Sequence, residues 1–207
     1  GYEDIAERKL SQPEKGHLAK AGVETYHGGM EQEYRERALS KFRSGCSNIL
    51  VATDLAARGL DIPEVRAVVH YHPAADADAF VHRNGRTARW DAGGSIYLIM
   101  NEAEALPDYV PADAEVCDVE QVAIRPMKPR WAAVYVGRGK KDKLSRMDIV
   151  GFFCKKGGLR AEEIGRIELG AHYACVAVLR SKMTAVLKAV AGEKIKGMKT
   201  LIEPMRR

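Results

Sequence analysis

The chain has 207 residues, 46% hydrophobic and 29% charged, an ordinary balance for a globular protein. No apolar run approaches the ~20 residues that span a bilayer, and no basic-plus-apolar leader opens the sequence, so no membrane partner is expected. The four cysteines, at 46, 117, 154 and 175, form no C-x-x-C pair, which argues against a zinc ribbon and for a reducing, cytoplasmic setting. The opening residue is Gly1 rather than Met, as in a piece cut from a longer chain.

The net charge of +5 hides a split. Residues 1–129 hold 15 Lys and Arg against 21 Asp and Glu, a net −6, while 130–207 hold 18 against 7, a net +11. So strong a positive excess on fewer than eighty residues is the footprint of a polyanion binder. A merely solvated surface would mix the two signs.

In chain order, Tyr2 to Leu10 reads as a helix, interrupted at Pro13 and Gly16, and "HLAKAG" closes at Gly22. "EQEYRERALSKFRSG" is an amphipathic helix with Leu39 and Phe42 on its buried side and Gly45 as its stop. "NILVAT", "VRAVVHY" and "GSIYLIM" are short apolar strands of the kind buried on both faces of a parallel sheet. A helix carrying "FVHRNGRTAR" lies between the last two. Alternating helices and strands predict an α/β fold with a parallel sheet and flanking helices. Residues 101–129 are acidic, with prolines at 107, 111, 126 and 129, and read as a domain tail with a short helix or strand running into a linker.

From Arg130 the pattern is β-α-β-β-α-β, a small α+β domain over 130–207. "AAVYVG" is its first strand. Ser145 and Asp148 make a capping box for a helix carrying Ile149, Val150 and Phe153, stopped by Gly157 and Gly158. "IGRIEL" and "YACVAVL" flank a turn at Gly170. Met183, Val186, Leu187 and Val190 form the buried stripe of a second helix, and "KTLIEPM" is the last strand.

Three clusters carry chemistry. "YHGGMEQEYR" sets Gly28 and Gly29 ahead of a helix start, where backbone N–H groups suit phosphate. "VATDLAARGLDIP" places Thr53, Asp54, Arg58, Gly59 and Asp61 just after a buried strand, where ligands of open parallel sheets sit. "HRNGRTAR" crowds His82, Arg83, Arg86 and Arg89 into one segment. Arginine holds phosphate bidentately, and one placed on a transferring phosphoryl group contributes ~10³–10⁵ in rate. His70 and His72 read as strand-end residues with no partner motif.

H-G-x-x-x-Q-x-x-R, A-T-D-x-A-A-R-G-L-D-I and H-R-x-G-R-T-x-R, in this order, resemble the C-terminal RecA-like half of DEAD-box RNA helicases, here over residues 1 to about 100. The resemblance implies Arg86 and Arg89 as arginine fingers on ATP, with His82 coupling ATP state to domain closure. It implies Asp61, beside Gly59, on the ribose, and Gly28, Gly29, Arg35 and Thr53 along the RNA backbone. Gln32, Asp54, Arg58 and Arg83 would organise loops and inter-domain contacts. Neither a G-x-x-x-x-G-K-[ST] run nor a D-E-A-D-like run occurs. Mg²⁺ ligands and the ATP phosphate site are therefore expected in an N-terminal RecA-like partner domain, and no metal site or ATPase in these residues alone. The family's opening strand would precede Gly1. Asn84 and Ala88 stand where the family often has Ile and Gly, and Asn84 brings a polar group to a usually apolar place.

The basic domain is similar to an RRM sheet, with Tyr135 and Tyr173 on its open face and Cys175 where an aromatic usually stacks. "GRGKKDKLSR" offers Arg138, Lys140, Lys141, Lys143 and Arg146 to phosphates, and "GEKIKGMK" adds Lys194, Lys196 and Lys199. These features over about 131–207 resemble the RNA-binding domain of DbpA-type helicases, which implies large-subunit ribosomal RNA as partner and a role in ribosome assembly. The alternative is a non-enzymatic RNA-binding protein with a RecA-like scaffold.

Overall fold

The structure, a computed structural model, describes residues 22–54, 62, 65–85, 94–101, 103–117 and 127–206. These residues group into two compact units, one within Gly1–Ala56 and Pro126–Arg207, the other within Ala57–Arg125.

In the first unit β1 (Val23–Tyr26) runs parallel to β2 (Ile49–Ala52), in register from Val23↔Ile49 to Tyr26↔Ala52. Helix α1 (Gln32–Arg43) connects them and ends at Ser44, before Gly45 at φ +67°. Ala38 is its buried residue, with Leu39 and Phe42 half-buried. An ion pair from Lys41 to the buried Glu24 ties α1 to β1. The sequence pattern did not predict β1.

In the second unit β3 (Ala67–His70) pairs in parallel with β4 (Ser95–Leu98). Helix α2 (Ala77–Asn84) is capped by Asp76, whose carboxylate accepts from the Ala79 N–H, and closes with Gly85 as its C-cap. The parallel α/β pairing expected for this region holds, but among the described residues it forms two separate two-stranded sheets. Burial on both faces does not hold: Val69 is 57% exposed, Tyr97 46% and Ile49 45%. Each strand has a single hydrogen-bonded neighbour in these pairs, which leaves an edge and part of a face to water.

Of the tail, expected to carry a short helix or strand, residues 103–117 form turns, closed by Val110 N–H on Pro107 and Ala114 N–H on Pro111, and residues 118–126 lie outside the described residues. Tyr109 anchors it, stacking 4.9 Å from Phe80 and donating its hydroxyl to the Ala74 carbonyl at 2.6 Å. His70 closes β3, the strand-end position expected of it. It is buried at 2% exposure between Asn84, Arg83 and Phe80.

The remainder of the first unit is the predicted β-α-β-β-α-β domain. It comprises β5 (Trp131–Val136), α3 (Arg146–Lys155), β6 (Ile164–Leu169), β7 (Ala174–Leu179) and α4 (Met183–Ala189), then a hairpin of β8 (Lys194–Ile195) and β9 (Met198–Lys199), and β10 (Ile202–Pro204). The sheet order is β10-β5-β7-β6, every pair antiparallel. Alternation along the strands divides the side chains between two faces. Val134, Val136, Val176 and Val178 meet Ile149, Phe153 and Val186 in the main core. Ala133, Cys175 and Ala177 face the other way, against Cys46 and Met205. Five consecutive residues of β7 are buried, so both faces of that strand are covered.

Candidate nucleic-acid interface

The parallel register of β1 and β2 brings two loops to one end. The loop after β1 turns at His27, whose carbonyl accepts from Met30, and the Thr53 N–H after β2 reaches the Tyr26 carbonyl at 3.4 Å. Gly28 and Gly29 lie exposed on that turn, and a side chain built at Gly28 would meet nothing within 4 Å. The bare backbone is thus turned outward beside the first turn of α1. Thr53 and Asp54 are half-buried next to it. Gln32 is the first residue of α1. Its carbonyl accepts from Arg35 Nη2 at 2.6 Å while its amide donates to Glu36 at 2.9 Å, which holds the half-buried Arg35 in one orientation.

On α2, His82 is exposed in the last turn, and Arg83 bends back to donate to the His72 carbonyl at 3.0 Å. Arg83 therefore braces the end of β3 within its own unit. Arg58, Gly59, Asp61, Arg86 and Arg89 lie outside the described residues, and the helix predicted to carry the fingers closes at Asn84.

The two basic loops, separate in sequence, converge on one end of the four-stranded sheet. Lys196, at φ +51° in the β8–β9 turn, donates its ammonium to the Lys143 carbonyl at 3.1 Å and to Asp148 at 3.2 Å. Asp148 also accepts from the Ser145 hydroxyl at 2.6 Å and the Ser145 N–H at 2.9 Å. The Ser145 contacts, with Lys196 adding to them, hold its carboxyl below the usual range. At the loop's other end Asp142 accepts from the Gly139 N–H at 3.0 Å and from Arg138 at 2.8 Å, and is lowered for those reasons. Gly139 has to be glycine here, because a Cβ would stand 2.5 Å from the Ala171 carbonyl oxygen. Lys140 and Lys141 donate backbone N–H groups to Gly170 and Ala171, pinning the loop to the β6–β7 turn.

Arg138 and Lys196, predicted as phosphate contacts, thus serve first to shape the loops. Lys140, Lys141, Lys143, Arg146, Lys194 and Lys199 remain exposed, with Lys141 3.2 Å from His172. Lys194 and Lys199 are direct cross-strand partners. Like charges opposed in this way are destabilising, and a phosphate between them would offset that cost.

Tyr135 and Tyr173 stack on each other with centroids 5.5 Å apart and planes at 23°. Their face, expected to be open, is covered. Helix α1 places the Arg37 guanidinium 5.2 Å from the Tyr135 centroid and 6.0 Å from that of Tyr173. Such a cation–π contact is worth about 0.5–1 kcal/mol exposed and about 2 when desolvated. Burial, reinforced by the nearby Glu36, pushes the Tyr173 phenol up to about 12. Desolvation likewise drives the Cys175 thiol up to about 12, so this buried sulfur packs as a small apolar group. The cover approaches closely because Ala133, Cys175 and Ala177 are small. Arg180 clasps the same region, donating to Trp131 O at 2.6 Å, Cys46 O at 3.3 Å and the Pro129 carbonyl. Sequence reasoning missed Arg37 and Arg180. Nothing local marks either, since their partners lie about a hundred residues away or on another strand.

Two family models match the chain: the helicase conserved C-terminal domain over residues 3–91 and the DbpA RNA binding domain over 133–204. The ATP-dependent RNA helicase DbpA of Escherichia coli is 33% identical over 186 residues, 83% of this chain and 39% of that protein. DbpA of Bacillus subtilis is 29% identical over 199 residues, 83% of this chain and 42% of the relative. A rice protein, DEAD-box ATP-dependent RNA helicase 53, is 56% identical over 79 residues, 38% of this chain and 13% of its own length. The chain therefore spans about two fifths of the length of the DbpA relatives. With a match to the helicase conserved C-terminal domain followed by one to the DbpA RNA binding domain, and with DbpA helicases aligned along more than four fifths of its length, the chain is similar to the C-terminal part of the DbpA-type DEAD-box RNA helicases.

Proposed function

We propose that this chain is the RNA-anchoring and ATP-completing portion of an ATP-dependent RNA helicase that opens RNA locally, held on large-subunit ribosomal RNA during ribosome assembly in the cytoplasm. The observation that carries the RNA reading is the convergence of the 139–146 loop and the β8–β9 turn, through Lys196, into one exposed basic end of the sheet. Phosphates would be held there by Lys140, Lys141, Lys143, Arg146, Lys194 and Lys199. A second strand of RNA backbone would run past Gly28, Gly29, Arg35 and Thr53 at the carboxyl ends of β1 and β2, the usual ligand position of parallel strands.

On the same reading Arg86 and Arg89 complete the ATP site, Asp61 and Gly59 meet the ribose, and His82 couples ATP state to closure against an N-terminal RecA-like domain. That domain would supply the Mg²⁺ ligands. Among the described residues no group of three or more His, Cys, Asp or Glu is arranged to hold a metal.

The test is binding of the chain to a large-subunit rRNA hairpin and to an unrelated hairpin at two salt concentrations. Phosphate contacts alone lose affinity equally for both RNAs as salt rises. A ribosomal preference that persists at high salt supports the rRNA reading. Equal loss reduces the domain to a general RNA tether.

A further inference from the structure

The cover on the tyrosine face has the features of the ligand that such a face is built to take. A base would lay a flat ring on Tyr135 and Tyr173; Arg37 lays a flat guanidinium there. Glu36, with Leu39, Ser40 and Arg43, lines a cleft against Glu168, Leu169, Gly170 and Tyr173. The basic loop leads to this place. The backbone of Lys140 and Lys141 is fastened to Gly170 and Ala171, the turn that runs into Tyr173. An RNA strand gripped by those lysines is delivered to the tyrosines and meets α1 there.

The Arg37 contact is also replaceable. The guanidinium's ion pair is with Glu33 on its own helix, not with the sheet, and its Nε is buried without a hydrogen-bond partner. What it gives the sheet is stacking, which a nucleic-acid base supplies at comparable strength. Being part of the same chain, α1 holds the face at an effective concentration that a weakly bound base does not overcome. An RNA already held by the lysines shares that advantage.

We propose that α1 is a displaceable cover of the tyrosine face, and that single-stranded RNA and Arg37 compete for Tyr135 and Tyr173. The inference rests on the RNA-binding reading above. Its consequence is that RNA stacked on the sheet releases α1, so occupancy of the basic domain is signalled to the helicase segment that carries Gly28, Gly29 and Arg35.

The experiment is fluorescence anisotropy of a labelled oligo(U) of about twelve nucleotides, within the usual single-strand site sizes, with the full chain at fixed salt. Arg37→Ala removes a positive charge, which on electrostatics alone weakens RNA binding. Displacement instead requires that Arg37→Ala tighten binding, by about three- to tenfold for the loss of one stacked cation. Tyr135→Ala in the Arg37→Ala background should abolish the gain. Arg37→Gln is measured alongside, and far-UV circular dichroism of both variants verifies that α1 remains. If neither substitution tightens binding while the Lys140→Ala, Lys141→Ala pair weakens it, RNA stays on the basic rim; the cover proposal is then overturned and the RNA-binding reading stands. If no form of the chain binds the oligonucleotide, the cover proposal falls, and the RNA-binding reading falls with it only if the rRNA hairpin also fails to bind.

Discussion

Asn84 on α2 places its Oδ1 2.8 Å from Nε2 of His70 at the end of β3. The other ring nitrogen, Nδ1, faces Arg83 Nη1 at 3.2 Å. A guanidinium only donates, so Nδ1 accepts and Nε2 carries the proton that Asn84 receives. The polar residue at a usually apolar position thereby has its reason in a buried histidine. Asn84→Ile should remove this hydrogen bond from the buried ring and cost about 1–3 kcal/mol. Asn84→Asp, which keeps an acceptor, should cost less. Urea midpoints of the three proteins decide; equal midpoints would show that the pair contributes nothing.

The Lys194–Lys199 cross-strand pair makes opposite demands on stability and binding. Replacing either lysine by Ala should stabilise the hairpin by a few tenths of a kcal/mol, about the size of one cross-strand pair. The same change should weaken RNA binding uniformly across sequences and reduce the salt slope by about one. Thermal unfolding and salt titrations measure both. A variant that loses stability together with affinity would assign the lysine to packing.

Arg180 donates to carbonyls of Trp131, Cys46 and Pro129, which joins the segment before β5 to the loop after α1. Arg180→Ala should destabilise the first unit by about 1–2 kcal/mol, the worth of a charge-assisted hydrogen bond at a partly exposed site. Arg180→Lys should not restore it, because an ammonium lacks the planar fork. Amide exchange in β5 and the 44–46 loop reports the loss.

Asp148 and Tyr173 contribute to the acid and alkaline limits of the basic domain. The Asp148 carboxyl is held low by Ser145, so its stabilising effect is complete above the ordinary carboxylate pKa, about 4, and disappears as pH falls through the lower folded value. Asp148→Asn should flatten that acid limb. Tyr173 is raised from 10.0 to about 12, so its contribution is complete below pH 10 and is lost as pH climbs towards 12. The difference in 295-nm absorbance between the parent and Tyr173→Phe follows that titration. Ionisation of Tyr173 near 10 would mean that α1 does not cover it in solution.

Because the sequence holds no G-x-x-x-x-G-K-[ST] run, these 207 residues alone should hydrolyse ATP no faster than buffer, with or without RNA. Arg86→Ala should leave that baseline unchanged and lower turnover only when the N-terminal RecA-like domain is supplied. RNA-stimulated ATPase activity from this chain alone would refute the assignment of roles.

The basic domain was legible in the sequence because its signals are local. The Ser145–Asp148 box, the Met183–Val190 stripe and the Gly170 turn each constrain a few neighbouring residues. The helicase motifs were legible for another reason: their order and spacing resemble a known family's, and the chain matches the helicase conserved C-terminal domain over residues 3–91. β1 was missed because four residues, "VETY", are too few for periodicity to separate strand from loop. Burial of the apolar strands was overestimated because a run of hydrophobic residues does not reveal how many neighbours the strand will find. The sequence by itself therefore determined the family resemblance, the order of the two matched domains and the positive charge of the second. Only the tertiary structure decided that Lys196 ties two basic loops together, that Asn84 answers His70, and that Arg37 lies on Tyr135 and Tyr173. Each of those contacts joins side chains distant along the chain, and their meeting depends on packing and strand register rather than on local pattern.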